Sequence, residues 1–176
     1  MRLFAAIRPP QEVLDHLRSA LADLDEPQLR WMPAHQLHLT LAFYGEVDRE
    51  AADEVRAHLG DELGGTGSLQ LQLRAAGTFG QRVLWVGLGG ETERLQQLMT
   101  TAAGAPGHVQ EHAPHPHVTI ARARRHHKED LDAPARQLAG YAGPHWWAGS
   151  IEVIVSHLGR GPGGVPAHEV MATVDL

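Results

Sequence analysis

Cysteine is absent from the sequence. Its absence excludes disulfide bonds, thiolate metal sites and a thiol nucleophile. Long apolar runs are also missing. The apolar stretch over residues 3–7 is followed at once by an arginine and two prolines, and it is too short for a signal peptide. No other stretch approaches the length that crosses a membrane. We therefore expect a cytoplasmic protein with no membrane partner.

An excess of positive charge is lacking too. The 176 residues carry a formal net charge of −6 with histidine neutral. This charge argues against a broad basic surface that holds nucleic acid non-specifically. One segment, residues 121–128 (ARARRHHK), departs from the trend with three arginines, one lysine and two histidines. Taken alone, such a run is typical of a solvated surface.

The hydrophobic pattern alternates between strands and helices along the chain. Apolar residues at helical spacing follow two adjacent prolines near the N-terminus, and strands with alternating apolar residues recur between the helices. The predicted strands span residues 3–7, 36–45, 68–76, 82–88, 115–122, 150–158 and 168–174, and the predicted helices span 9–24, 49–59, 91–103 and 129–138. We expect one domain over residues 1–176.

The two halves of this pattern resemble each other. Corresponding positions lie about 80 residues apart and follow one another in the same order. The pairs are Leu3 and Val83, His38 and His117, and Leu69 and Ile151. Two copies at this period predict a two-lobed domain rather than a solenoid.

Each half carries a His-x-Thr motif at the centre of a predicted strand. The motifs are HLTL, with His38 and Thr40, and HVTI, with His117 and Thr119. Side chains two positions apart in a strand share a face, while the intervening apolar residues take the other face. If the lobes face each other, two imidazoles and two hydroxyls meet in one cleft.

Such a set of side chains suits displacement at phosphorus. The reaction needs a base for the attacking oxygen and an acid for the leaving oxygen. A histidine titrates near neutral pH, so one imidazole can act deprotonated while the other acts protonated. Threonine hydroxyls can donate hydrogen bonds to the phosphate oxygens. Arg122 would add positive charge, but it lies five residues after His117, so a bulge or the strand end must turn it towards the cleft.

These paired motifs resemble the 2H phosphoesterase superfamily, and more narrowly the RNA 2′,3′-cyclic phosphodiesterases, also called 2′-5′ RNA ligases. The similarity extends to the flanking segments RLFAAIRPP, LHLTLAFYGEV, GTFGQRVLWVGL, PHPHVTIAR and VSHLGRGPGG. The resemblance implies a bilobal α+β fold in which two antiparallel sheets line a central cleft and helices pack outside.

The resemblance also implies an activity and residue roles. The activity is hydrolysis of an RNA-terminal 2′,3′-cyclic phosphate to a 2′-phosphomonoester without a metal or other cofactor, with reversible 2′-5′ joining in some members. His38 would donate a proton and His117 would accept one. Thr40, Thr119 and Arg122 would bind the phosphate. The pseudo-symmetric site also permits the reverse order of acid and base.

Three aromatic residues near the motifs are candidates for base stacking or for the core. Phe79 is predicted to stack on a base or to pack in the core, and Tyr44 is a second candidate for base stacking. Trp85, in an apolar strand, is predicted to lie in the core. With an acidic chain and one basic segment, the expected partner of a monomeric protein is a short RNA terminus rather than a long duplex.

Two other functions remain open. A cluster of histidines, His108, His112, His115 and His117, suggests a metal-dependent hydrolase, although the prolines at 114 and 116 break any helix and a carboxylate would have to come from elsewhere. A non-catalytic module that binds RNA ends is the second alternative. A chelator separates the first from the metal-independent enzyme, and turnover separates the second.

Overall fold

The computed structural model describes residues 1–24, 26–27, 29–108, 114–124, 131–161 and 166–176. These segments contain nine strands and four helices. The strands are β1 Arg2–Ile7, β2 Leu29–Trp31, β3 Leu39–Glu46, β4 Leu69–Phe79, β5 Val83–Gly90, β6 His117–Ala123, β7 Ala142–Ala148, β8 Ser150–His157 and β9 Ala167–Asp175. The helices are α1 Gln11–Leu21, α2 Arg49–Leu63, α3 Thr92–Ala103 and α4 Asp132–Gln137.

All nine strands belong to one curled antiparallel sheet with two halves. The order is β7-β4-β5-β6-β3-β1-β8-β9, and β2 adds to β6. We call β3-β1-β8-β9 lobe one and β6-β5-β4-β7 lobe two. A single residue pair, Leu39 with Val118, joins β3 to β6. The α+β fold and the antiparallel pairing predicted from the sequence are confirmed, and the two sheets prove to be two halves of one.

The sequence repeat is present, but its halves exchange their third strands. β4 follows the first motif in the chain yet pairs with β5 of lobe two. β8 follows the second motif yet pairs with β1 of lobe one. Read outward from the central pair, β3-β1-β8 corresponds to β6-β5-β4. The lobes are therefore interlocked around a pseudo-two-fold axis at Leu39 and Val118.

Apolar side chains on one face of the sheet form the core with the helices. Leu69, Leu71 and Leu73 of β4 are fully buried, and both residues of the central pair are as well. Full burial of such a side chain contributes about 1.5–3 kcal/mol. This packing fixes the face of each strand, so the intervening residues must face the cleft. No helix in the described parts of the chain is both long and apolar enough to cross a membrane.

The predicted elements differ from the structure at a few places. β2 and β7 are absent from the prediction, because β2 has three residues and β7 contains Gly143 and Pro144. Pro33 precedes one turn of 3-10 helix, so β3 begins at Leu39 rather than at residue 36. The described part of the fourth predicted helix begins at Asp132, and residues 129–130 lie outside the described segments.

Candidate active site

The two motif histidines have the same local geometry. Nδ1 of His38 lies 2.6 Å from the carbonyl oxygen of Gln36, and Nδ1 of His117 lies 2.7 Å from that of His115. A carbonyl oxygen only accepts hydrogen bonds, so each Nδ1 carries the proton and donates. Each neutral ring therefore keeps the lone pair of Nε2 available. Both histidines adjoin the central pair of strands, and their charges are close enough to interact.

Thr40 and Thr119 lie on the cleft face with the histidines. Each is half-buried, whereas the residues on either side of it along the strand are fully buried against the core. The alternation predicted from the sequence thus places one imidazole and one hydroxyl of each lobe on the same face.

A bulge in β6 brings Arg122 to the same face. Trp85 pairs with Thr119 and Leu84 pairs with Ala121, so Ile120 is an extra residue in β6. Ile120 and Ala121 are consecutive and both buried. The extra residue reverses the alternation beyond it. Arg122 consequently faces the cleft, through the bulge that its spacing from His117 required.

The same bulge occurs at the corresponding position of lobe one. Ala6 pairs with Thr40 and Ala5 pairs with Ala42, which leaves Leu41 as the extra residue of β3. Phe43 then faces the cleft where lobe two has Arg122. Its ring is 43% exposed, and the Arg2 guanidinium lies 4.7 Å from its centroid. Phe43 is not among the residues predicted from the sequence, although it follows its histidine by the same five residues.

A cavity of about 410 Å³ lies beside this face. Lobe one supplies most of its lining and Arg122 of lobe two also reaches it, and we call it the lobe-one cavity. Three arginines and two histidines line it, and no carboxylate does among the described lining residues. The lining residues are Arg2, Phe4, Arg30, Met32, Gln36, His38, Thr40, Phe43, Arg122, Ser156, Leu158, Pro166 and His168. In a chain of net charge −6, such a lining is suited to an anion.

Arg30 is a second arginine of this cavity, and unlike Arg122 it is not predicted from the sequence. It lies on β2 directly opposite Arg122 of β6. Burial, and then the positive charge of Arg30, lowers the pKa of Arg122. Two like charges in one cavity favour a bound anion, because the anion relieves their repulsion. The sequence does not reveal Arg30 because β2 has only three residues, which are too few to show the alternation typical of a strand.

Burial lowers the pKa of both histidines. It lowers the pKa of His38 to about 4, and the charges of His168, Arg8 and His117 act in the same direction. The pKa of His117 is also lowered, first by burial and then by the charges of His115 and Arg122. Without a bound anion, both rings are therefore easier to keep neutral than an exposed imidazole.

Segments around lobe one hold His38 in place. The His38 ring stacks on Phe4 at 5.0 Å and meets His168 edge-on at 5.4 Å. Gln36, only 3% exposed, donates from Nε2 to the carbonyl of Pro166 at 2.7 Å. Arg8 bonds to Glu152 and to the carbonyl of His35. These contacts fix the backbone segment whose Gln36 carbonyl accepts the hydrogen bond from Nδ1 of His38.

Aromatic rings take the corresponding place in lobe two. Phe79 meets the His117 ring edge-on at 4.9 Å and lies 5.3 Å from Trp85. The prediction of a core position for Trp85 is wrong. Trp85 pairs with Thr119 on the cleft face, and its ring lies over Gly77, which leaves room for it there.

Tyr44 is not brought to the cleft. Its hydroxyl donates to the carbonyl of Ala102 in α3 at 3.0 Å, and burial raises its pKa. The side chain therefore lies on the helix side of β3. A bulge at Tyr44 itself, between the pairs Leu3–Gly45 and Phe4–Phe43, accompanies this orientation.

The proposed histidine cluster is divided, since the rings of His115 and His117 lie 6.0 Å apart while His108 lies elsewhere. His108 packs edge-on against Tyr44 at 5.2 Å on the helix side, while His115 packs against Trp85 at 4.8 Å. His112 lies outside the described residues. No group of three or more possible ligands is positioned to hold a metal ion in the described segments. Of the basic segment 121–128, the structure describes residues up to Arg124, whose Nε donates to the carbonyl of Pro27 at 3.1 Å.

Comparison with known proteins places this chain in a family. The family model "2'-5' RNA ligase superfamily" matches residues 6–160. An RNA 2',3'-cyclic phosphodiesterase of Escherichia coli is 35% identical over 69% of this chain and 71% of the relative. One from Thermotoga maritima is 29% identical over 79% and 82%, respectively.

A solved structure from Thermus thermophilus, that of the protein TT0787, shares the fold. Its TM-score is 0.78 at 24% sequence identity, and the match covers 100% of this chain and 98% of that chain. The family match extends over both His-x-Thr motifs and most of the chain, which confirms the resemblance found in the sequence. The protein is thus a member of the 2'-5' RNA ligase superfamily.

Proposed function

We propose that this protein hydrolyses the 2′,3′-cyclic phosphate at the end of an RNA to a 2′-phosphomonoester. The observation that carries the proposal is the pair of equivalent histidines, each with Nδ1 bound to a backbone carbonyl and Nε2 available, beside a cavity lined with arginines. The relatives from Escherichia coli and Thermotoga maritima have this activity in their names. One chain supplies both halves of the site, so we propose that it acts as a monomer.

In the proposed reaction, Nε2 of His117 accepts a proton from water, whose oxygen attacks phosphorus. The bond from phosphorus to O3′ breaks, and O3′ takes a proton from Nε2 of His38. Thr40, Thr119 and Arg122 stabilise the charge on the non-bridging oxygens. Acid–base assistance of this kind contributes about 10² to 10⁴-fold. No metal is required for any of these proton transfers.

The proposed assignment of His38 as the acid and His117 as the base depends on bound substrate. In the free site, burial opposes a protonated His38, since it lowers the pKa of that ring to about 4. A phosphate anion beside the ring raises this pKa, because opposite charges favour the protonated form. We therefore propose that His38 becomes an acid only when substrate is bound, whereas His117 is the base in the free enzyme.

The nucleoside is proposed to occupy the lobe-one cavity. Phe43 offers an exposed ring there, backed by Arg2, and stacking of a base on such a ring contributes about 1–3 kcal/mol. Phe79 remains a candidate for stacking from the other lobe, since its ring is 38% exposed. Tyr44, with its hydroxyl bound to α3, is not part of this proposal.

The test is incubation of a short RNA ending in a 2′,3′-cyclic phosphate with the wild type, His38→Ala and His117→Ala. We expect 2′-phosphate from the wild type, a loss of at least about 100-fold in each variant, and no effect of a chelator. His16→Ala, on the exposed face of α1, is the matched control. The proposal fails if the wild type yields no product or both variants keep the full rate. The rate should also follow a bell-shaped pH profile, and a monotonic one would count against the histidine pair.

A further inference from the structure

A row of three polar side chains crosses lobe one on the cleft face. Arg2 of β1 pairs with Ser156 of β8, and Ser156 pairs with His168 of β9. All three residues line the lobe-one cavity. Direct partners on neighbouring antiparallel strands share a face of the sheet and lie about 5 Å apart. A guanidinium, a hydroxyl and an imidazole therefore lie side by side, and we call them the Arg2–Ser156–His168 row.

The row extends from the proposed acid to the exposed ring of Phe43. At one end, the His168 ring lies 5.4 Å from the His38 ring. At the other end, the Arg2 guanidinium lies 4.7 Å from the centroid of Phe43. A nucleoside that stacks its base on Phe43 and presents its cyclic phosphate to His38 lies alongside this row. The 5′ position is then the one free attachment point of its ribose, because the base occupies C1′ and the cyclic phosphate occupies O2′ and O3′.

The donors of the row are available to a ligand. Arg2 and the Ser156 hydroxyl form no ion pair or hydrogen bond with any residue that the structure describes. Nδ1 of His168 is shielded from solvent and also has no hydrogen-bond partner. A buried nitrogen without a partner is destabilising, so we expect a bound group to satisfy it. An anion can accept hydrogen bonds from all three side chains.

Carboxylates on the strands around the row have other partners. Glu152 is bonded to Arg8, and an oxygen of Glu169 lies 3.0 Å from Nε2 of His157. An oxygen of Glu46 lies 3.5 Å from the N-terminal ammonium group. No carboxylate is among the described lining residues of the cavity. The protein therefore leaves the positive charge of the row free to attract an anion.

This anion differs from the phosphate that reacts. The reacting phosphate is assigned to Arg122 of β6, which has Arg30 opposite it on β2. In the sheet, β3 and β1 lie between β6 and β8, so Ser156 is three strand spacings from Arg122, about 14 Å along the sheet. Phe43 of β3 lies between them. One phosphate group is too small to contact both sets of donors, so the cavity offers two anion sites with an aromatic ring between them.

We propose that the Arg2–Ser156–His168 row binds the phosphate attached to O5′ of the terminal nucleoside. This inference rests on the proposed function. A 5′-phosphomonoester and the internucleotide phosphodiester of an RNA chain both present charged oxygens at this position. The protein then recognises a nucleoside with phosphate on both sides, and a nucleoside 2′,3′-cyclic phosphate with a free 5′-hydroxyl is a poorer substrate.

The hydrolysis test uses two pairs of substrates, each differing in one charged phosphate. The first pair is adenosine 2′,3′-cyclic phosphate with and without a 5′-phosphate. The second is the dinucleotide ApA with a terminal 2′,3′-cyclic phosphate, joined by a phosphodiester or by an uncharged methylphosphonate. We call the ratio of kcat/KM within a pair the phosphate ratio. In the wild type we expect a phosphate ratio of about ten, because hydrogen bonds to a charged group are lost in the poorer member.

Variants of the row should lower this ratio. Arg2→Ala should bring it close to one, Ser156→Ala should reduce it about three-fold, and Arg2→Lys should retain part of it. An effect of Arg2→Ala on the Phe43 ring acts on both members of a pair and cancels. Arg56→Ala, on the exposed face of α2, and Ser150→Ala, at the other end of β8, are matched controls with the wild-type ratio.

A binding test needs no turnover. Calorimetric titration compares adenosine 2′,5′-bisphosphate with adenosine 2′-monophosphate. We expect the wild type to bind the bisphosphate about ten-fold more tightly. Arg2→Ala should lose this preference, and His168→Ala should reduce it.

The two tests separate the inference from the proposed function. Equal kcat/KM within both pairs in the wild type overturns the inference, and the proposed function stands. Wild-type phosphate ratios in Arg2→Ala and Ser156→Ala also overturn it, since Arg2 then only supports the Phe43 ring. A preference in the first pair alone assigns the site to a 5′-phosphomonoester, and one in the second pair alone assigns it to the RNA chain; either supports the inference. A wild type that hydrolyses none of the four substrates refutes the proposed function, and the titration then tests the row by itself.

Discussion

Lobe one and lobe two present the same His-x-Thr motif in different surroundings. His38 lies beside the rings of Phe4 and His168, and the Arg8–Glu152 ion pair is nearby in the same lobe. His117 lies beside the rings of Phe79 and Trp85, and its partner across β5 is Gly87. The backbone places the two imidazoles equivalently, whereas burial and charge make them unequal. A duplicated strand can thus supply both an acid and a base, because the environment of each copy decides its role.

The largest expected effect distinguishes the roles of the two histidines. A 3′-deoxynucleoside 2′-(4-nitrophenyl phosphate) has a leaving group that needs no proton, and it lacks the 3′-hydroxyl that would otherwise displace this group. With this substrate, His38→Ala should recover most of the roughly 10² to 10⁴-fold loss that it shows with an RNA cyclic phosphate. His117→Ala should remain impaired with both substrates. Release of nitrophenolate measures the rate directly.

The opposite pattern would reverse the comparison between the lobes. If His117→Ala recovers with the activated ester and His38→Ala does not, His38 is the base and His117 the acid. The buried ring of lobe one would then act in the neutral form that its free-site pKa favours. Equal recovery in both variants would contradict a division of roles.

The second effect concerns stability against pH. The pKa of His38 is about 4 in the folded protein, below the ordinary value of 6.5. Between these values the unfolded chain binds more protons than the folded one, so the free energy of unfolding rises with pH in this window. This stability is lost as pH falls from 6.5 to about 4, by an amount on the order of 3 kcal/mol.

Urea denaturation of the wild type and His38→Ala at several pH values checks this prediction. The variant should show a flatter dependence, since it lacks the group responsible. His16→Ala should keep the wild-type slope. A wild-type slope in His38→Ala would assign the acid sensitivity to other groups and leave the two histidines equivalent in stability.

The third effect compares Arg122 with Phe43, the residues that follow the two bulges. Arg122→Ala should lower kcat/KM about 100-fold, because a charged donor to the phosphate oxygens is lost. Phe43→Ala should raise KM about ten-fold with little change in kcat, as expected for a stacking surface. Arg122→Lys, which keeps the charge, should recover part of the loss. Equal effects of Arg122→Ala and Phe43→Ala on kcat would contradict this division.

A residue of this site can be predicted from the sequence where it lies in a strand long enough to show a clear alternation of apolar and polar residues. The His-x-Thr faces follow from the two-residue period of a strand, so the histidines and threonines were placed correctly. Phe43 faces the cleft only because of the bulge at Leu41, and the amino-acid sequence gives no sign of this bulge. Arg30 required a three-residue strand. Trp85 was assigned to the core because its strand is apolar throughout, and only the pairing with Gly77 and Thr119 shows that it faces the cleft.

The exchange of third strands was equally hidden. A repeat gives the order of elements and their spacing, but β4 and β8 fit either lobe by their apolar pattern alone. The pairing is settled by long-range contacts, in which β8 pairs with β1 and β4 pairs with β5. This choice determines that Phe79, from the first half of the chain, lies beside His117 from the second.

The smallest expected effect concerns Gly77, which lies beneath the Trp85 ring in lobe two. At Gly77, a Cβ atom would lie 2.6 and 2.9 Å from two atoms of the Trp85 ring. Gly77→Ala must displace this ring or the strand, at a cost of about 1–3 kcal/mol. Because Trp85 and Phe79 pack around His117, the same variant should lower activity in proportion to the displacement. Thermal unfolding and cyclic-phosphate hydrolysis measure the two effects.

Gly140→Ala is the matched control, since nothing lies within 4 Å of its Cβ position. It should leave activity intact and change stability by less than about 1 kcal/mol. If Gly77→Ala is as stable and active as this control, the indole does not depend on the bare backbone beneath it. Lobe two would then tolerate a side chain beneath Trp85, and the positions of the rings around His117 would not depend on Gly77.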